Sequence, residues 1–97
     1  MTIDFSELET CVLELFPEMP NKFTSHQFIL RLAQRFQHAY IIALHSCLDS
    51  EAPFQRVHQW VSNHLNKYPS QLAPMGAVPS HDIFGNSNTC SSWEKIV

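Results

Sequence analysis

Apolar residues recur along the start of the chain at steps of three and four: Phe5, Leu8, Val12 and Leu15. That spacing lines one face of a helix, and the side-chain oxygen of Asp4 or Thr2 can cap its first turn. Pro17 and Pro20 then stop it, because proline supplies no amide and crowds the residue before it. A first helix is predicted over 4–16. Thr24 and Ser25 open a second, whose stripe is Phe28, Ile29, Leu32 and Phe36. No proline or glycine interrupts residues 25–48, yet the series Phe28, Leu32, Phe36, Tyr40, Leu44, Leu48 cannot stay on one face. Each step of four advances by about 40°, so five steps carry the stripe roughly 200° round a straight helix. A break near Gln37 and His38 is therefore expected, giving helices over 25–36 and 38–48.

Asp49, Ser50, Glu51, Ala52 and Pro53 form a cap cluster with proline at the first helical position. They predict a fourth helix over 53–67, with Phe54, Val57, Val61 and Leu65 as its buried stripe. Beyond Pro69 come Pro74, Gly76, Pro79 and Gly85 among short apolar pieces, which excludes helix and predicts at least one short antiparallel strand pair after Leu72. Gly85, Asn86, Ser87, Asn88 and Thr89 read as the tip between the strands. Residues 90–97 read as a closing strand with Trp93 facing in, or as a single turn of helix boxed by Ser91 and Glu94. One core is expected from Phe5, Leu8, Val12, Phe28, Leu32, Phe36, Leu44, Phe54, Val57, Val61, Leu65 and Trp93. The fold class is α+β: a mostly helical domain with about four helices and a short C-terminal β-hairpin.

That order of elements resembles the winged helix-turn-helix plan. The resemblance makes residues 53–68 the recognition helix and residues 72–96 the strand, wing and strand. The stretches Phe23-Thr24-Ser25-His26-Gln27-Phe28-Ile29 and Asp82-Ile83-Phe84-Gly85-Asn86, with Trp93-Glu94-Lys95 following, also resemble segments of small bacterial and phage proteins. No catalytic or ligand motif lies in those stretches, so the resemblance implies a fold rather than an activity. The helix over 38–48, placed between the two helices of the reading motif, departs from the plan.

With 97 residues, 44% of them hydrophobic, the chain has enough for one core and too little for two, so residues 1–97 are read as a single domain. The longest uncharged apolar run, residues 39–48, falls well short of the roughly 20 residues of a membrane span. Asp4, Glu7 and Glu9 stand where a secretory leader would be basic, and no membrane partner and a cytoplasmic location are expected. Cys11, Cys47 and Cys90 are odd in number and far apart, a pattern of neither a disulfide framework nor a zinc finger. Net charge is −3, but it is unevenly spread. Asp4, Glu7, Glu9, Glu14 and Glu18 crowd the beginning, whereas residues 19–81 carry Lys22, Arg31, Arg35, Arg56 and Lys67 against Asp49 and Glu51. A mildly basic face can therefore exist on an acidic protein.

Projected at 100° per residue, the fourth helix presents Arg56, Gln59, Asn63 and Lys67 opposite its stripe, with Trp60 at the edge. No acid occurs between Ala52 and His81. Arginine and lysine can donate to phosphates or guanine, and glutamine and asparagine can read adenine. These four residues, with Arg31 and Arg35 of the second helix for phosphate contacts, are the candidate site of a duplex-DNA-binding regulatory protein. The competing expectation is a protein-interaction or inhibitor module that meets a basic partner through Asp4, Glu7, Glu14 and Glu18. A homodimer is compatible with either. Six histidines lack the spacings that converge on a metal, and no nucleophile elbow or phosphate-cradling glycine loop is present, so neither a cofactor nor catalysis is expected. His58 and His64 are expected at the boundary of the fourth helix, and His26 and His81 in local hydrogen bonds near element ends.

Overall fold

The computed structural model describes residues 4–96. Four helices and three strands follow the chain as α1 (Ser6–Leu15), β1 (Lys22–Thr24), α2 (Ser25–Arg35), α3 (Gln37–Ser46), α4 (Pro53–His64), β2 (Leu72–His81) and β3 (Ser87–Lys95). Tight 3-10 turns extend α1 over Phe16–Glu18 and α4 over Leu65–Lys67. The α+β class is as the sequence predicts. Its closing segment is a strand, with Trp93 buried.

The local causes are visible at each helix start. Phe5, not Asp4, holds the capping position of α1 and offers no side-chain cap; Asp4, one residue earlier, accepts at Oδ1 from the Ser6 amide (3.1 Å) and hydroxyl (2.7 Å) in a local turn that leads into the helix. Thr2, the other capping candidate, lies outside the described residues. Thr24 caps α2: its hydroxyl accepts from the Gln27 amide at 3.1 Å while the Gln27 side chain accepts from the Thr24 amide at 2.9 Å. The break after α2 falls at Phe36, whose backbone (φ −124, ψ 60) leaves the helical region for one residue, and α3 then starts at a new angle. Pro53 opens α4, and the Ser50 hydroxyl accepts from the Ala52 amide just ahead of it.

The sheet has the order β1-β3-β2, antiparallel throughout. In the β1–β3 register Phe23 faces Trp93, and both are buried against the helices. The Trp93 indole donates to Ser25 Oγ at 3.0 Å, a buried bond that ties β3 to the first turn of α2. β1 was not legible as a strand, and β2 and β3 are longer than the short pair expected. β2 carries Pro74, Gly76 and Pro79 because it is an edge strand, where a missing amide costs no ladder bond on the open side. A register shift between Pro74 and Gly76 is accommodated by Gly76 at φ +94, a conformation that side chains disfavour. Only Leu72 and Trp93 of the two strands are buried, so most of the hairpin reaches past the core.

The core joins Leu8, Val12 and Leu15 of α1 to Phe28 and Leu32 of α2, Ala43 of α3, and Val57, Val61 and Leu65 beyond. Phe16 stands against Phe28 and edge-on to Tyr68. Phe5, Phe36 and Leu44 pack against this core while remaining half-buried. Phe54 corrects the expected core, being 44% exposed. It stands at the first turn of α4, where it meets Phe84 of the hairpin tip and borders an open apolar hollow shared with Ile41 and Leu44 of α3. Cys11 and Cys47 are buried, and Cys90 is half-buried.

Candidate nucleic-acid interface

Arg56, Gln59, Asn63 and Lys67 all lie exposed on α4 and the turn that extends it. Gln55 and Asn66 are exposed on the same side. At 100° per residue both fall just outside the arc of the other four, on the Gln59 side, and widen it by about 40°, a signal the sequence carried. The six residues make a polar face with two cations and no acid.

This face has two flanks. On the α1 side, Trp60 stacks on His64 with centroids 4.5 Å apart and tilts against Phe5 at 5.0 Å. His64 is buried, and its Nε2 lies 2.9 Å from the Tyr68 hydroxyl. Burial lowers the His64 pKa, and so does nearby Lys67, whereas Glu9 of α1 works against them. Glu9 also acts with burial to raise the Tyr68 phenol. The Lys67 end of the face is therefore within electrostatic reach of one carboxylate of α1.

On the other flank α4 and the hairpin enclose a trench of about 570 Å³. From α4 it is lined by Gln55, His58, Gln59 and Ser62, from α2 by His26 and Ile29, and from the hairpin by Asp82, Ile83 and residues 88–91. The turn at its end is built by Asp82, whose Oδ1 accepts from the amides of Phe84 (3.0 Å) and Asn86 (2.9 Å). These bonds, the Asn86 amide foremost, hold the Asp82 carboxyl below the usual carboxylate range. Gly85 completes the turn at φ +85. The tip is thus residues 82–86, while Ser87, Asn88 and Thr89, expected in it, belong to β3.

The turn does not stand free. Phe84 meets Phe54 edge-on at 4.8 Å and lies over His58 at 6.2 Å with an interplanar angle of 28°. His58 Nε2 is 2.6 Å from the Tyr40 hydroxyl of α3, so one imidazole links α3, α4 and the hairpin. Burial lowers the His58 pKa and pushes Tyr40 up to about 12, so burial favours the uncharged form of both partners. His58, half-buried, thus occupies the boundary position expected of it, whereas His64 corrects the expectation: it is buried within the packing of Trp60 and Tyr68. His26 departs from expectation: its Nδ1 is buried and has no hydrogen-bond partner among the described residues. The Ser87 hydroxyl lies 3.5 Å from His81 Nε2.

The remaining candidates are placed elsewhere. Arg31 and Arg35 are exposed on α2 but stand about 140° and 180° round that helix from His26, which faces the trench. The fold does not bring them beside the α4 face. Arg35 is also engaged, its Nε 3.2 Å from Glu18 and its guanidinium 4.8 Å from the Phe36 ring centroid. Lys22 lies across the strands from Glu94 at 3.9 Å. Of the acidic set, Asp4 is occupied at the start of α1 and Glu18 with Arg35, which leaves Glu7 and Glu14 on the flank of α1 beside Cys11. Burial, then Glu14 and Glu7, push the Cys11 thiol up, away from the reactive thiolate. Comparison of the chain with protein-family models, with curated proteins and with solved structures finds no match.

Proposed function

We propose that the chain binds duplex nucleic acid by laying the exposed face of α4 in the major groove. The observation that carries this reading is the set Gln55, Arg56, Gln59, Asn63, Asn66 and Lys67: six exposed side chains on one helical face, able to donate to phosphates or read base edges, with no carboxylate among them. A helix of twelve residues extended by a further turn is long enough to follow the groove. Four helices followed by strand, turn and strand also fit the winged-helix plan that the sequence resembles. In this reading Arg56 and Lys67 hold the backbone, and Gln59 and Asn63 discriminate bases. Arg31 and Arg35 are left out of the interface because they face another way.

The test is fluorescence anisotropy of the purified chain with labelled duplex DNA across a range of salt. Replacing Arg56 and Lys67 together by Ala is expected to weaken binding and to flatten the logarithmic salt slope by about two if both touch phosphates. Gln59→Ala or Asn63→Ala is expected to erode sequence preference while non-specific binding persists. Absence of binding to any duplex at low salt would sink the reading. The acidic alternative would then rest on Glu7 and Glu14, and their reversal to Lys is the variant that tests it.

A further inference from the structure

The trench beside α4 contains no arginine or lysine and one carboxylate, Asp82. It is not built for an anionic group. What it offers is hydrogen bonding of both senses, from the amides of Gln55 and Gln59, the hydroxyls of Ser62 and Thr89, and the imidazoles of His26 and His58. Such a lining suits a neutral group with several donors and acceptors.

Beside the trench, over its lining residue His58 and next in the chain to its lining residue Ile83, stands an aromatic platform that is not itself part of the lining. Phe84 is 56% exposed, although its turn is fixed by two amide bonds to Asp82 and its ring is braced by Phe54 and His58. An exposed aromatic ring on a fixed turn is ready to stack on a planar ligand at little further loss of conformational freedom. The trench is also continuous with the charged face. Gln59 lines the one and belongs to the other, and Arg56 lies three residues from it on the outer side.

A neutral, planar, multiply hydrogen-bonding group attached to an anionic chain is an unpaired nucleobase in a nucleic-acid strand. We infer that the trench between α4 and the hairpin receives one unstacked base, held against Phe84, while the adjoining phosphates run along the outer face of α4. This rests on the nucleic-acid reading above and names its substrate more closely, as a helix interrupted by an unpaired nucleotide.

The experiment compares two labelled duplexes of one sequence, fully paired and with a single extra adenine in the middle, in anisotropy titrations of the full chain at low salt. The wild-type chain is expected to prefer the bulged duplex by roughly tenfold, the scale of a single base–aromatic stack. Phe84→Ala removes the platform and Ser91→Trp obstructs the trench from an exposed position of β3. Each is expected to abolish the preference and leave affinity for the paired duplex intact, with far-ultraviolet circular dichroism confirming the fold. Equal affinity of the wild type for both duplexes would overturn the inference while the α4 reading stands. A preference that persists in both variants would overturn it as well, because the base would then lie elsewhere. Binding to neither duplex would remove both proposals at once.

Discussion

His58 and His64 are held below the ordinary imidazole value chiefly by burial. Around His58, Asp82 of the hairpin works against this and His26 of α2 with it. The unfolded chain takes up protons near pH 6.5, and the folded chain takes up fewer until a lower pH. Stability from these two rings is therefore complete above about pH 6.5 and declines as pH falls through their folded values. Urea midpoints measured between about pH 7.5 and pH 5 are expected to drop on the acid side, and His58→Phe is expected to shrink the drop. A wild-type midpoint that stays flat over that window would contradict it. Tyr40 acts at the other extreme. Its phenol, raised by burial to about 12 against 10.0 in the unfolded chain, makes stability decline as pH rises past 10.0. The bond between Ser25 and Trp93 involves no charge but is buried at both ends. Ser25→Ala strands the indole donor and is expected to cost about 1–3 kcal/mol in denaturant unfolding, with no change in its pH dependence.

The helices were legible because each had its own punctuation. Thr24 with Gln27, Pro53 after Ser50, and the drifting stripe that demanded a break all lie within a few residues of the features they predict. Thr24→Ala removes one half of the capping box and is expected to destabilise the protein by about 1 kcal/mol, with Thr24→Ser restoring most of it. A cost below about 0.3 kcal/mol would mean that the box adds nothing beyond solvent hydrogen bonds. The strands were harder to read. β1 is three residues long, too short for alternation to register, and exists only because Phe23 can pair with Trp93. β2 was legible only as a short strand, since its prolines and glycine are the residues that normally end one. Its place at the edge of the sheet, which no local pattern states, is what permits them. Phe54 was assigned to the core from its phase alone, and phase cannot say where a helix outruns the body it packs on.

Across the whole molecule, charge decides how well α4 can approach a polyanion. The polar face could be projected from the sequence, residue by residue, because a helix fixes its own angles. The trench could not, since it needs α2, α4 and a hairpin tip that folds back onto Phe54. Nor could the position of Glu9, which reaches the Lys67 end of the face only once α1 is docked. Glu9→Gln is accordingly expected to tighten duplex binding by a few-fold at low salt and to have little effect at high salt. An unchanged affinity at low salt would place the duplex away from that end. Within the shared core, Leu32→Ala is expected to cost about 2–5 kcal/mol, as for any fully buried leucine whose neighbours cannot close the gap. The bond from Trp93 to Ser25 spans 68 positions of chain. A ribosome making this protein has long since finished α1, α2 and α3 before β3 exists to complete the sheet, so the first turn of α2 waits for its partner throughout. Closing so long a loop comes late and slowly. The helices and the β2–β3 hairpin are expected to gain structure first in stopped-flow refolding, and burial of Trp93, read by its fluorescence in a Trp60→Phe variant, to trail the far-ultraviolet signal.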